Sequence, residues 1–564
     1  MLGKRSPQGK LFTVENRLRK KVGEASFYVF LADHRHELFR DEDFAMLYCL
    51  DNGRESAPPS LLATALILQT FDRVSDQEAT DRARFDQRWQ LALGLGDEEV
   101  PFAKSTLCTF RNQLIIHKQA KLIFKKGIEH LRRHGFVKKH KIRLALDTTA
   151  IFGKGAVEDT FNLLAEGLRQ VLQVLAHLSA RRPEAFAAAH DFSRYVAPSF
   201  KGTWSIDWDK GNERQTVLDS VVADCQRSLS LACFVLNQYP AQSDEAQEIV
   251  QATDLLRKLL AQDVRRNETG KVELINGVAE DRIVSVHDPE MRHGHKSVSN
   301  RFDGYKASLA VETESQVIAD VGVLPGNAHD NTDASSLVTE SAKNLERSVE
   351  GVIGDGAYGT AEARLDAQAN QYTLTAPVAH PAQKGRFTKD DFTIDLDRQT
   401  VTCPAGQTTT TWYPRTTRTK RGRVFQHKSF TFSVKQCRNC PIRSQCLQAT
   451  TRQRVVLVHQ CEALLQQARV YQRTDKYRAV YRQRVVVEHR IARLVRLGIR
   501  KARYFGSAKV LFQLAMAAAV ANLTLFASST STRPMASFFL YLLFMSVIAI
   551  MSASRMTYRR FVRI

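Results

Sequence analysis

The spacing of apolar residues divides the chain into stretches of different period. Up to about residue 135 the period is helical. Pro58 and Pro59 open a helix running through Leu61, Leu62, Ala65, Leu66 and Leu68, because proline is pre-set for a helical first turn. Ser75 and Asp76 supply a cap for the next helix, ahead of Ala79 and Ala83. Ser105 and Thr106 cap a third, Leu107 to Ile116, which carries Arg111, Asn112 and Gln113 along one side. Short helices with basic, polar faces fit either a helix-turn-helix module or a plain helical bundle.

At residues 141–152, KIRLALDTTAIF, the period changes to two. Ile142, Leu144 and Leu146 alternate up to Asp147, which predicts a strand ending in a carboxylate. Helical spacing returns over 156–262, rich in Ala, Leu and Gln, and reads as an insertion. Strands are expected at 281–287, 304–312 and 317–324, with turns at Asp303-Gly304 and Pro325-Gly326, then a helix from Asp333 to Leu345. The stretch VEGVIGDGAYG predicts a short apolar strand closed by Asp355, with Gly354 and Gly356 leaving room for backbone and phosphate to approach. Residues 370–460 are polar and β-rich, and 462–525 read as one or more long helices.

Charge changes the picture. The 564 residues hold 81 Lys and Arg against 59 Asp and Glu, a net charge of +22. Such an excess calls for a polyanionic partner, since each cation that meets a phosphate releases a counterion. The excess is clustered. Lys121 to Arg143 holds nine basic residues and one acid, Glu129; Arg398 to Cys461 holds no acid; Arg469 to Lys509 holds thirteen basic residues and two acids, Asp475 and Glu488. A solvated helix usually mixes signs, so these stretches read as phosphate-facing surfaces. A purely DNA-binding regulator would account for the charge alone.

A strand ending in Asp147, antiparallel strands, a helix, a strand ending in Asp355 and a late helix bearing Glu488 together give the layout of an α/β protein with an RNase H-like core of mixed sheet and flanking helices. The boundaries expected are a helical DNA-binding domain at 1–135 and a catalytic core at 136–527. That core is interrupted by a helical insertion at about 156–275 and a β-rich, zinc-ribbon-like insertion at about 375–460, and a hydrophobic basic tail follows at 528–564. Three carboxylates suit phosphodiester chemistry. Two Mg²⁺ (or Mn²⁺) ions roughly 3.5–4 Å apart can activate a nucleophile and stabilise the leaving oxygen, and hard cations take carboxylate and phosphate oxygens. Glu488 is the lone acid between Lys476 and Lys509.

The stretches LALDTTAIFGKGAVEDTFNLLAEG, VIGDGAYG and YRQRVVVEHRIARLVRLGIRKARYFGSAKVLFQLAMAAAVANL closely resemble DDE transposases of bacterial insertion sequences, nearest to the insertion-sequence eleven-eighty-two family. The resemblance covers roughly residues 25 to 527. It implies metal-dependent cleavage and strand transfer by Asp147, Asp355 and Glu488, acting on double-stranded DNA: the element's ends and its target. A homodimer in the DNA complex is expected. The motif Tyr-x2-Arg-x3-Glu-x6-Lys falls on Tyr481, Arg484 and Glu488, but its Lys position holds Val495, so that Arg496 or Lys501 is left to contact phosphate. Arg503 and Arg111 complete the expected DNA contacts outside the β-rich insertion. A nuclease without strand transfer and an inactive DNA-binding relic remain open as alternatives.

The β-rich insertion holds a second constellation. Cys403, then Cys437 and Cys440 as C-x2-C, then Cys446, are four thiolates suited to one structural Zn²⁺, with His427 as a substitute for Cys403. Trp412 and Tyr413 lie beside Arg415, Arg418, Lys420, Arg421 and Arg423, a composition suited to base stacking and phosphate contact. The other cysteines, Cys49, Cys108, Cys225, Cys233 and Cys461, read as core residues. His293 and His295 read as loop or DNA-contact residues, and His329 and Asp330 have no assigned role. The polar start of the chain points to a cytoplasmic, nucleoid-associated setting. Met535 to Ser554 is uncharged and long enough for one membrane span, although a membrane partner is not expected.

Overall fold

Helices fill the first part of the chain: α1 (Glu15–Val22), α2 (Phe27–Leu38), α3 (Pro59–Asp72), α4 (Asp76–Phe85), α5 (Gln87–Leu93), α6 (Lys104–Ile116) and α7 (Leu122–Arg133). This computed structural model describes residues 1–5, 15–49, 53, 55–96, 101–275, 277, 279, 281–295, 300–378, 386–419 and 422–531. Caps fix several starts. Ser26 accepts from the Val29 N–H, Ser75 accepts from the Glu78 N–H, and Pro59 occupies the first turn of α3. α3 is buried from Pro59 to Gln69 and forms the post around which the others pack. α6 starts at Lys104 after Ala103, so Ser105 and Thr106 lie inside its first turn rather than capping it.

β1 (Lys141–Phe152) lies at the centre of the main sheet. The helical insertion follows: α8 (Thr160–Leu178), α9 (Pro183–Ala189), α10 (Ser193–Val196), α11 (Gly211–Leu236) and α12 (Asp244–Asp263), closed by a hairpin of β2 (Val264–Arg266) and β3 (Val272–Leu274). It has a core of its own around Leu168, Leu172, Val221 and Leu256. The chain returns as β4 (Arg292–His295), β5 (Arg301–Glu312), β6 (Ile318–Pro325), α13 (Ala334–Leu345), β7 (Ser348–Ile353), α14 (Ala361–Ala369) and β8 (Thr373–Thr375). The sheet order is β4-β5-β1-β7-β8, with β6 also on β5. β5 runs antiparallel to β1 and β6, whereas β7 is parallel to β1 and β8 to β7.

Two small sheets make up the β-rich region. β9 (Thr393–Asp395), β10 (Thr400–Thr402) and β11 (Thr408–Thr409) form one; β12 (Trp412–Arg418), β13 (Val424–Thr431) and, after the short helices α15 (Val434–Arg438) and α16 (Arg443–Cys446), β14 (Val455–His459) form the other. α17 (Glu462–Gln472), α18 (Asp475–Tyr481), α19 (Val485–Arg496) and α20 (Ser507–Ser531) close the described chain. α20 is apolar enough to cross a membrane, but 78% of its apolar window is buried. The Asn522 carboxamide seats it on β6, accepting from the Ile318 N–H at 2.9 Å and donating to the Ile318 C=O at 2.8 Å. The Met535–Ser554 segment lies outside the described residues.

Several expectations change. β1 does not stop at Asp147; it continues to Phe152 because Thr148–Phe152 pair with Gly304–Ser308 of β5. Residues 281–287 are not a strand. The segment 462–525 is broken into four helices, and α19 ends where Gly498 takes a left-handed φ of +94°, a conformation costly for other residues. Of the five scattered cysteines, Cys225 is buried, whereas Cys49 and Cys233 are exposed.

Much of the basic run from Lys121 to Arg143 is engaged in ion pairs within the fold rather than left free for phosphate. Lys121 pairs with Asp320 at 2.9 Å, Lys125 with Glu340 at 3.2 Å, Arg132 with Glu346 at 2.8 Å, Lys139 with Glu314 at 2.8 Å and Arg143 with Glu350 at 3.0 Å. Asp320 is on β6 and Glu340 and Glu346 are on α13 and its C-cap, so Lys121, Lys125 and Arg132 fasten α7 to these elements. Arg111 is corrected in the same way. It is 5% exposed and donates to Asp76 at 2.6 Å and to Gln69 at 3.3 Å, which leaves its guanidinium turned inward, away from any DNA. Arg111→Ala strands Asp76 beside Gln69. It should cost about 3 kcal/mol of stability in chaotrope denaturation and leave the salt dependence of DNA binding unchanged. A lower salt slope with unaltered stability would restore Arg111 as a DNA contact.

Candidate active site

The parallel register of β1 and β7 decides where two of the acids stand. Ala145 pairs with Ile353. Asp147 and Asp355 each lie two residues further on, and residues two apart share one face of a sheet. Asp147 is inside β1, its Oδ1 accepting from the Thr148 N–H at 2.8 Å. Asp355 follows β7 and caps the turn Gly356–Tyr358, accepting from the Ala357 N–H at 2.9 Å. Gly354 is needed here for packing: an added Cβ would come within 2.6 Å of Tyr358. Gly356 faces open space.

Glu488 reaches the same cleft from the first turn of α19. Arg484, one helical turn earlier, spans the acids. Its guanidinium lies 2.9 Å from Asp147 Oδ2 and 2.6 Å from Glu488 Oε1. Burial pushes the Asp147 carboxyl above the usual carboxylate range, with Asp355 and Asp330 adding to the rise and Arg484 opposing it. Burial lowers the Arg484 pKa, but Asp147, Tyr481 and Glu488 raise it more, so the group stays charged. Tyr481 is half-buried beside these groups, stacked on Tyr477 with ring centroids 5.4 Å apart.

The cleft has a volume of about 430 Å³, and its walls include residues to which the sequence reading gave no catalytic role. Lys306, opposite Ala150 in the sheet, donates to Asp330 at 2.8 Å and to the Ala328 C=O at 2.7 Å. Arg500 donates to Thr149 Oγ1 at 3.0 Å and to the Ala150 C=O at 2.9 Å. His295 also lines the cleft, while His293 pairs with Asp303. The only hint in sequence was Asp330's place just after a predicted strand. Lys306 and Arg500 carried no signal, because only strand pairing and the break after α19 bring them in.

The other candidates stand elsewhere. Arg496 is exposed at the end of α19. Lys501 and Arg503 are exposed at a separate cavity shared with Arg73 and Tyr504, where Arg503 donates to the Val74 C=O at 3.3 Å. On β12, Trp412 is 37% and Tyr413 61% exposed, and Lys428 lies 4.7 Å from the Trp412 ring centre. Trp412 is also paired across the strands with Phe430. Arg418 is exposed, and Arg421 lies outside the described residues. Cys403, Cys437 and Cys446 pack against a small core with Phe392 and Phe432. Burial raises the Cys446 thiol, Arg454 lowers it, and Cys437, Cys403 and Cys440 add smaller rises; among the described residues the four sulfurs do not meet within metal-ligand spacing of one another. His427 bonds Thr417 at 2.6 Å instead of joining them.

A carboxylate-lined cleft at the mouth of a parallel strand pair, with Arg and Lys on its walls, has the groups for phosphate chemistry. Comparison with known families narrows this reading. A model of the transposase DDE domain matches residues 402–526, and a transposase domain model (DUF772) matches residues 16–113. These matches support an insertion-sequence DDE transposase. Neither curated proteins nor solved structures gave a match to the chain.

Crowded acids have a measurable cost. A carboxyl whose folded pKa is raised contributes stability below its unfolded pKa and loses it as pH rises through the folded pKa. At neutral pH wild-type Asp147 is therefore a net burden. Asp147→Asn should raise Tm at pH 7 in the metal-free protein, and the gain should vanish on acidification through the carboxylate range. A variant less stable than wild type at pH 7 would show that the Arg484 contact outweighs the burial cost.

Proposed function

We propose that the chain carries an RNase H-like catalytic core in which Asp147, Asp355 and Glu488 hold two divalent ions for cleavage and strand transfer at the ends of an insertion sequence. The observation that carries this reading is the parallel β1–β7 register, which sets Asp147 beside Asp355 with Glu488 facing them from α19. The strand order and directions support the core assignment. So does the match to the transposase DDE domain, whose members generally use divalent metals on DNA.

The donor set fits Mg²⁺ or Mn²⁺. It consists of hard carboxylate oxygens, and a cationic guanidinium lies between Asp147 and Glu488. When bound, such ions supply an activated water or hydroxyl and stabilise charge on the leaving oxygen. The chain's own groups do the rest. Arg484 neutralises the acids in the free protein and is within reach of a scissile phosphate once they take up cations. Lys306 and Arg500 sit on the cleft wall with charge for non-bridging phosphate oxygens. Asp147 and Asp355 come from rigid elements, β1 and the capped turn after β7, so little ordering is left to perform on binding.

The exposed β12–β13 face, with Trp412, Tyr413 and Arg418, offers rings for a displaced base and cations for backbone. Arg496, Lys501 and Arg503 extend the basic surface beyond the cleft, and the helical region from 1 to about 135 reads the element ends. Cys403, Cys437, Cys440 and Cys446 together bind a structural Zn²⁺ that ties α15 and α16 to the small sheet.

Two experiments test this reading. With labelled element ends and Mg²⁺, Asp147→Asn, Asp355→Asn and Glu488→Gln should each lower cleavage by about a thousandfold or more while end binding holds. Near-normal nicking by any of the three would remove that residue from the site, and cleavage without joined products would leave a nuclease. For the thiols, Cys440→Ser should lose about one zinc equivalent per chain and make residues 398–460 protease-sensitive. An unchanged zinc content would leave ordinary thiols.

A further inference from the structure

Far from the cleft, where α2 meets α7, four ligand-type side chains converge. His34 and Glu37 are three positions apart on α2; His130 is on α7 and His134 is its C-cap, four positions on. Both spacings put the pair on one helical face. Their ligand atoms all lie within 4.8 Å of one another. The imidazoles crowd at centroid separations of 4.8, 5.4 and 4.3 Å for His34–His130, His34–His134 and His130–His134.

Hydrogen bonding does not explain this crowding. His130 is 0% exposed, and neither of its ring nitrogens has a partner; His34 Nδ1 is likewise buried without one. A buried imidazole with both nitrogens unsatisfied is costly. The Glu37 carboxylate lies 3.6 Å from His34 Nδ1 and 3.7 Å from His134 Nε2. Those distances are too long for good hydrogen bonds, yet near the roughly 3.3 Å that separates ligand atoms around a tetrahedral zinc. His134 Nδ1 donates to the His130 C=O at 2.9 Å. That bond fixes its tautomer and leaves the Nε2 lone pair toward the cluster, as the outer bond of a metal-bound histidine does.

We propose that His34, Glu37, His130 and His134 form a closed structural site for a borderline transition ion, Zn²⁺ in the first instance. Three imidazoles and one carboxylate suit Zn²⁺ and disfavour Mg²⁺, which takes oxygen ligands. With four protein ligands the site has no open position and is not catalytic. Its role is mechanical. α2 precedes α3, whereas α7 is held to α13 through Lys125 and Arg132. Phe526 of α20 covers the cluster, its ring centre 5.9 Å from that of His130. An ion here joins α2 to α7 beneath Phe526.

The test uses the full chain, stripped by chelation and reloaded with Zn²⁺ or Co²⁺. Wild type should hold one more zinc equivalent than the Glu37→Gln, His134→Asn double variant, whose changes lie at the exposed rim. Affinity for that equivalent should fall by more than about 100-fold. Cobalt separates this site from the thiols: a nitrogen and oxygen site gives visible d–d bands without the near-ultraviolet thiolate charge-transfer band, and those bands should persist in Cys440→Ser. His130→Ala should abolish them; should it misfold, the rim variant still decides. Equal zinc content and equal cobalt bands in wild type and rim variant would overturn the proposal.

Discussion

The parallel pairing of β1 and β7, which brings Asp147 and Asp355 to one cleft, is the feature around which the rest is arranged. β1 and β7 set Asp147 and Asp355 side by side, and α19 adds Glu488. Burial raises the Asp147 carboxyl, and Asp355 adds to that rise while a cation opposes it. In the free protein the cation is Arg484, whose two contacts span Asp147 and Glu488. The cleft therefore holds Asp147, Asp330, Asp355 and Glu488 together with Arg484, Lys306 and Arg500.

The scaffold keeps the acids from relaxing apart. β1 is paired on both sides, with β5 and with β7. α20 packs on the far side of β6 through Asn522, and the ion pairs of Lys121, Lys125 and Arg132 hold α7 to β6 and α13. Moving Asp147 would break a sheet ladder rather than rotate one side chain. Rigid placement of this kind is what electrostatic stabilisation of a phosphoryl transition state requires.

Much of this was legible in the sequence, for reasons that can be stated. Asp147, Asp355 and Glu488 could be singled out because each followed or interrupted a strong local pattern: an apolar strand, a Gly-flanked strand end, a basic helix. Strands β5 and β6 and helix α13 followed from periodicity and turn chemistry. Illegible features depended on partners distant in the chain. The Lys121–Arg143 run looked like a nucleic-acid surface because Asp320, Glu340 and Glu346 are invisible from it. Arg111 looked exposed because Asp76 is 35 positions away. Lys306, Arg500 and Asp330 enter the cleft only through pairing and chain reversal. The four-ligand cluster at His34, Glu37, His130 and His134 escaped for the same reason, each half being an ordinary pair on its own helix.

The central claim is that the three acids bind metal together, and electron paramagnetic resonance of the Mn²⁺-loaded full chain tests it most directly. The account predicts about two bound ions close enough for their spins to couple, and Asp147→Asn, which removes one of the three carboxylates, should abolish the coupled signal. Uncoupled Mn²⁺ in wild type, or a coupled signal that survives in Asp147→Asn, would contradict it.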